Sequence, residues 1–145
     1  MMKGPFWLAA AAYLLPTFPL GYFWHLVTFH EQYERLAIYR PDVIIPFGLT
    51  SMIIQAVIFA VAYPRLFDTA RDTWWRGALG FFLAGSILSW SFTTVPVAAK
   101  FQMTSVPLFV ALETGFTLAQ FAVVSPLIAL AWRQPRGAAL GLSRA

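Results

Sequence analysis

The sequence predicts an all-α integral membrane protein that consists of four transmembrane helices. Its 145 residues are 59% hydrophobic and 11% charged, with a mean hydropathy of +0.68. A soluble domain of this size is about one quarter charged. Four segments have the length that a membrane span needs, about 20 apolar residues, and aromatic residues gather at their ends, as they do at membrane interfaces. Composition, segment length and aromatic placement therefore favour one fold class.

The four spans are predicted over residues 5–29, 43–63, 77–99 and 107–132, where Lys, Arg, Asp and Glu are rare. The connections are short, so successive helices should run up, down, up and down as a single four-helix domain. Residues 133–145 are expected to form a basic, polar tail. The first apolar run continues to Phe29, well beyond the 7–15 residues that are usual in a signal peptide, and we interpret it as an uncleaved span.

Basic residues predict the orientation of the chain. Under the positive-inside rule, the side with more Lys and Arg faces the cytoplasm. Seven basic residues lie at the N-terminus, in the second connection and in the tail, and three lie on the other side: Lys3, Arg65, Arg71, Arg76, Arg133, Arg136 and Arg144 against Arg35, Arg40 and Lys100. Both termini are thus expected in the cytoplasm, with the protein in a bacterial inner membrane.

The residues that the sequence lacks exclude several kinds of chemistry. Without cysteine there are no disulfides, thiolate nucleophiles or Cys-ligated metal centres. There is also no glycine-rich phosphate loop, no Gly-x-Ser-x-Gly elbow and no His-Glu-x-x-His motif. The net charge of +4 is spread over the span ends, which suits lipid headgroups better than nucleic acid. We therefore predict no catalytic residues and a protein that is not an enzyme.

Prolines predict bends within the spans. Pro16 and Pro19 lie in the first span, and each removes a backbone donor and crowds the preceding turn, so a kink or local unwinding is expected near its middle. Pro96 should loosen the last turn of the third span, and Pro126 should bend the inner end of the fourth.

The outer connection between the first two spans can form a short interfacial helix. Over residues 30–41, the side chains of Tyr33, Leu36, Ala37 and Arg40 would share one face.

Small residues of the third span predict a close helix contact. Gly80 and Ala84 are four residues apart, as are Gly85 and Ser89. Small residues at this spacing allow another helix to approach closely.

The most unusual polar residue is Glu113, the only formal charge in the fourth span. It follows Pro107 by six residues, about 9 Å along a helix axis. An ionisable group at that depth normally faces the bundle interior and has a partner. The predicted topology allows one polar intramembrane cluster: Glu113, Gln120, Gln55, Lys100 and His25. One possibility is structural: Lys100 pairs with Glu113 or points to water, and the glutamines hold helices together. The other is that Glu113 has no partner and carries a proton or binds a cation.

A ligand site is a further possibility, with His25, His30 and Glu31 as donors. On a regular helix the two histidines point about 140° apart and cannot share one ion without a break between them. Hence no metal site is predicted. Alternatively, His25 alone is suited to be an axial ligand of haem or a chlorin in an aromatic setting. The sequence leaves the cofactor unknown.

The layout of the chain resembles small bacterial four-span membrane proteins that are grouped as a domain of unknown function. The resemblance rests on Gly21-Tyr-Phe-Trp24-His25, on the Tyr63-Pro64-Arg65 stop, and on Glu113 with Gln120. It implies no activity. Small multidrug-resistance transporters also have four spans and one essential glutamate, but theirs is in the first span. The tryptophan-rich sensory proteins are similar in size but have five spans.

These observations predict a non-enzymatic membrane protein in contact with the bilayer. We expect a small subunit or assembly partner of a larger membrane complex, or a self-associating bundle, held through the small-residue face of the third span. The alternatives are a proton- or cation-coupled carrier or channel that uses Glu113, and a haem-, chlorin- or metal-binding membrane protein.

Overall fold

A computed structural model describes residues 4–133, and every regular element in that range is helical. The elements are α1 (Gly4–Phe23), a π-helical segment (Trp24–Thr28), α2 (His30–Leu36), α3 (Ile45–Leu66), α4 (Trp74–Ser89), a second π-helical segment (Trp90–Thr94), α5 (Val95–Lys100) and α6 (Val106–Trp132). Most of the predicted tail lies outside the described residues.

Four helical stretches in the described range are long and apolar enough to span a membrane. They are span one (Gly4–Thr28), span two (Ile45–Leu66), span three (Trp74–Lys100) and span four (Val106–Trp132). The prediction of four such helices is therefore confirmed, and the observed bounds differ from the predicted ones by a few residues. Span three begins earlier than predicted because Trp74 starts a helix whose first turn includes Arg76.

Spans one and four form the centre of the molecule. Span two packs on span one, and span three packs on span four. The remaining gap between spans two and three is filled by aromatic rings, with Phe59 and Phe81 in edge contact at a centroid distance of 5.1 Å and Phe121 beside both. This aromatic cluster lies at one end of the bundle. We call the other end, which carries α2, the α2 end.

The small residues of span three contact neighbours within the same chain. Gly85 is buried, and a Cβ atom added there would overlap the ring of Phe121 in span four. At Gly80 the nearest atom to such a Cβ is in the ring of Phe67, at 3.1 Å. Ala84 and Ser89 are half-buried. Gly85 thus provides the close approach that the spacing predicts, and its partner is span four.

Both π-helical segments lie towards the α2 end. In the first, the backbone N–H of Phe29 donates to Trp24 at 3.1 Å, five residues earlier. In the second, the N–H of Val95 donates to the carbonyl of Trp90 in the same way. A π-helical turn holds one residue more than an α-helical turn, and such segments are frequent at functional sites.

The local unwinding that was expected in span one does not occur at its prolines. The segment around Pro16 and Pro19 stays α-helical, and the departure from α geometry comes only at Trp24. The φ angle of proline is itself helical, so a helix whose neighbours pack well can continue through it. In span three the π-helical segment ends at Thr94, two residues before Pro96, which cannot donate to the carbonyl of Phe92. Span four continues through Pro126 to Trp132.

The connection after span one contains the expected short helix, but that helix is packed against the bundle. In α2 the side chains of Tyr33 and Leu36 are fully buried, against Phe109 and Leu112 of span four. The helix ends at Ala37, whose φ of 56° is left-handed. The expected shared face therefore stops there, and Arg40 lies beyond the helix.

Candidate functional site

Glu113 is the centre of a polar cluster at the α2 end. Its Oε1 accepts a hydrogen bond from the hydroxyl of Tyr33 at 2.6 Å and lies 3.3 Å from Nε2 of His25. The other ring nitrogen, Nδ1 of His25, lies 2.9 Å from the carbonyl oxygen of Gly21. Three elements of the chain, span one, α2 and span four, thus meet at one carboxylate. We call these three side chains the Glu113 cluster.

The contacts of His25 fix how many protons the pair holds. A carbonyl oxygen can only accept, so Nδ1 carries a proton that it donates to Gly21. The contact between Nε2 and Glu113 then needs one further proton, located either on the imidazole or on the carboxyl group. The hydroxyl of Tyr33 donates to the same carboxylate oxygen at 2.6 Å.

Aromatic rings enclose the cluster. Tyr33 is fully buried and stacks on Tyr39, with the two rings 4° from parallel and their centroids 5.0 Å apart. Phe116 meets the imidazole edge-on at 4.5 Å. Burial raises the pKa of Tyr33, and the nearby charge of Glu113 raises it further. The pKa of Tyr39 is raised for the same two reasons, so both phenols stay neutral.

The cluster is shielded but still accessible. The side chains of His25 and Glu113 are 19% and 16% exposed. In a site of this kind the pair interacts more strongly than it would in water, since less solvent screens it. Neither side chain is therefore completely enclosed.

The other residues of the predicted cluster and ligand set lie elsewhere. Lys100 makes no ion pair with Glu113, nor with any other acid among residues 4–133. His30 contacts Glu34 at 3.1 Å on the surface of α2. Glu31 is paired with Arg35 at 3.5 Å on the same helix. Both pairs are exposed, and pairs of this kind stabilise a protein little.

The two glutamines belong to a second network, deeper in the bundle. The hydroxyl of Tyr13 donates to Oε1 of Gln55 at 2.5 Å and accepts from Nε2 of Gln120 at 2.9 Å. Spans one, two and four are therefore joined at one phenol. Between the two networks lie two buried threonines on the facing helices, Thr17 and Thr117. The predicted single cluster is thus two clusters along one polar seam.

A groove adjoins the Glu113 cluster between spans one and two. Its volume is about 350 Å³, and His25 forms part of its wall. Gly48 lies on the opposite wall, where an added Cβ would meet no atom within 4 Å. Tyr39 and Arg40 line it from the connection after α2. Pockets of about 300–1,000 Å³ with few polar groups are typical of small-molecule sites.

The described residues offer no obvious metal or haem site. No group of three or more His, Asp or Glu side chains in residues 4–133 is placed to hold a metal ion. Both ring nitrogens of His25 have partners, Gly21 and Glu113. A haem or chlorin iron would have to replace Glu113 at Nε2 of His25.

No family model matches the chain. Neither a curated protein nor a solved structure matches it. The site must therefore be interpreted from its own geometry.

Tyrosines are the site residues that the sequence analysis did not place. Tyr13 and Tyr33 each bridge polar groups from different helices. A signal for Tyr13 was present, because residues 13, 17, 21 and 25 recur every fourth position and so share a face of span one. No local pattern could have placed Tyr33, since its contact with Glu113 joins residues 80 positions apart.

Proposed function

We propose that this protein is a small proton-coupled membrane carrier in which Glu113 and His25 together bind the coupled proton. The observation that supports this most is the 3.3 Å contact between the two side chains beside a groove that His25 also lines. A ligand in that groove would touch a residue that holds the proton. Ligand binding and proton binding would then influence each other.

The surroundings of the carboxylate favour a proton over a metal cation. Glu113 is met by a hydroxyl donor from Tyr33 and by the imidazole of His25. A metal cation prefers several oxygen acceptors around it, whereas here one carboxylate faces hydrogen-bond donors. A proton can move between imidazole and carboxylate over this contact with little change in the positions of heavy atoms.

The position of the site suits coupling across a membrane. With both termini in the cytoplasm, as the distribution of basic residues predicts, the Glu113 cluster would lie in the outer half of the bilayer. The seam through Thr17 and Thr117 would lead from it to the network around Tyr13. Ionisable residues in membrane spans commonly mark such proton paths.

The first test is whether Glu113 exchanges a proton. Infrared difference spectra of the protein in lipid, recorded between acidic and neutral pH, should contain a component of the carboxylic acid band that is lost in Glu113→Gln. Glu34→Gln is the matched control, because Glu34 is an exposed carboxylate of α2, and its loss should remove a different component of the band. A spectrum that is unchanged in Glu113→Gln, or the loss of the same component in both variants, would contradict proton binding at Glu113.

The second test concerns coupling. Proteoliposomes with a pH indicator inside are challenged with a panel of neutral, cationic and anionic amphiphiles. Proton movement that depends on an amphiphile is expected for the native chain and for Glu34→Gln. Glu113→Gln and His25→Gln should abolish it while circular dichroism shows that they remain helical. Equal proton movement in all variants would overturn the proposal.

An assembly partner of a larger membrane complex is the second candidate. The observation that favours it is span two, which packs on span one and leaves large apolar residues uncovered, among them Ile53, Ile54 and Ile58. Lipid or another subunit would cover this face. The native mass after gentle extraction distinguishes the two, since a stable heteromer supports a subunit and an isolated chain does not. The resemblance to small four-span bacterial proteins is compatible with either candidate.

A further inference from the structure

We propose that the groove between spans one and two binds the free anion of a long-chain carboxylic acid, with its carboxylate between Arg40 and His25. This inference rests on the proposed function, because it names the substrate class of the same site. The hydrocarbon chain would lie along the apolar walls, and any part longer than the groove would continue among the lipids.

The lining of the groove is divided by polarity. Towards the connection after α2 lie Tyr22, His25, Tyr39 and Arg40. Deeper in the spans the lining is apolar and includes Phe18, Leu49, Met52 and Phe116. Phe18 precedes His25 by seven residues, about 10 Å along the helix axis. One end therefore suits a polar head and the other suits a hydrocarbon chain.

The charges around the polar end favour an anion. Among residues 4–133, Arg40 is the only one in the lining with a permanent positive charge. Its Nε meets Asp42 at 3.4 Å, in a pair whose side chains are 59% and 80% exposed. Such an exposed pair is weak, and the two terminal nitrogens of the guanidinium group are left for a ligand. Arginine binds carboxylates through two parallel hydrogen bonds.

The acidic groups near this end set the proton balance. Glu113 lies behind His25 and shares its proton, Asp42 lies beside Arg40, and Glu34 lines the neighbouring cavity. The repulsion from Glu113 is offset while His25 is protonated. For a carboxylate in the groove to take that proton, a ring nitrogen of His25 exchanges its present partner, Gly21 or Glu113, for the ligand. The transfer then leaves the neutral acid in the groove and the pair one proton short.

This exchange is why a carboxylate fits better than a phosphodiester. A carboxylic acid titrates in the same range as a glutamate side chain, so one proton can be passed between them. Phosphodiesters stay ionised and could bind to Arg40 but could not take the proton. The coupling that we propose needs a head group that can be protonated.

Gly48 allows a direct test of the groove. Gly48 lines the groove, and a Cβ at this position meets no atom within 4 Å, so Gly48→Phe adds a large side chain to the groove wall from an open position. Gly4 is equally open but lies at the start of span one, away from the groove. Gly4→Phe is therefore a matched control for the same change of residue.

The experiment measures binding of radiolabelled palmitate and of hexadecanol, its neutral analogue, to the protein in lipid nanodiscs at neutral pH. Gly48→Phe should weaken palmitate binding at least about 10-fold, while Gly4→Phe should leave it unchanged. Arg40→Gln should weaken palmitate binding at least about 10-fold, because a charge-assisted bond is lost. Binding of hexadecanol should weaken much less.

Several outcomes would overturn the inference, and the first three concern binding to the native and substituted chains. They are equal binding of palmitate and hexadecanol, palmitate binding that survives in Gly48→Phe, and the absence of palmitate binding to the native chain. Displacement of palmitate by an anionic phospholipid at equal concentration would also overturn it and assign the groove to membrane lipid. Proton movement could instead need Glu113 but occur only with neutral or cationic amphiphiles. That result would support the proposed function and contradict a carboxylate as the substrate.

Discussion

Replacement of Tyr33 by phenylalanine tests the structural role of the Glu113 cluster. The change removes one oxygen and keeps the ring, which is fully buried and stacked on Tyr39. The main loss is the 2.6 Å bond to Glu113. Hydrogen bonds to charged groups contribute about 1.5–3 kcal/mol, whereas side-chain bonds measured within a membrane protein average about 0.6 kcal/mol. Because this bond is short and shielded, we expect Tyr33→Phe to lower the free energy of unfolding by about 1.5 kcal/mol.

A double-mutant cycle isolates that bond from other effects. Tyr33→Phe, Glu113→Met and the double variant are unfolded in mixed micelles with increasing SDS and followed by circular dichroism. Methionine keeps the approximate size of the glutamate side chain but accepts no strong hydrogen bond. The coupling free energy should be about 1.5 kcal/mol, since each single change already breaks the bond.

Tyr22 supplies the control for the cycle. Its side chain is 45% exposed, and its hydroxyl has no hydrogen-bond partner within residues 4–133. Tyr22→Phe should therefore change the unfolding free energy by less than about 0.5 kcal/mol. A coupling free energy below about 0.5 kcal/mol, or an equal cost for Tyr22→Phe and Tyr33→Phe, would show that the tyrosine does not support Glu113.

Three further predictions concern packing, backbone strain and pH. Gly85→Ala should lower the unfolding free energy by about 2 kcal/mol, since its Cβ overlaps the ring of Phe121; an unchanged SDS midpoint would contradict this. Ala37→Gly should raise it by about 0.5 kcal/mol, because glycine adopts the left-handed φ of 56° without strain; a lower midpoint would contradict it. Hydrogen bonds from Thr73, then from a backbone amide, lower the pKa of Asp68. Its contribution to stability is thus present at neutral pH and lost below about pH 4. Asp68→Asn should flatten the acid dependence of the SDS midpoint, and an unaltered profile would contradict it.

The membrane spans could be predicted because the bilayer imposes a simple requirement on each segment. Every span needs about 20 apolar residues and must satisfy its own backbone, and both features can be recognised locally. The start of span three at Trp74 was missed because Arg76 was assigned to the connection. A long basic side chain in the first turn can extend its charge to the interface, so the helix starts earlier than the charge suggests.

The site could be predicted only in part. The depth of Glu113 in an apolar run marked it as a functional candidate, and its spacing from Gln120 placed both on one face. Its partners depend on how α2 folds back on the bundle, which no periodic pattern encodes. Lys100 was a reasonable partner by sequence distance, but the second partner is Tyr33 of α2. The non-helical backbone at Phe29, just before α2, and the burial of Tyr33 itself bring it there.

The π-helical segment in span one also determines how this sequence can vary in length. It holds one residue more than an α-helix of the same rise needs. Deletion of Val27 would let the segment return to α geometry at nearly the same rise and would leave the later residues in register. Tyr33 would then keep its position beside Glu113. Related chains that are one residue shorter here could retain the tyrosine, so the length of this segment and the residue at position 33 should vary independently.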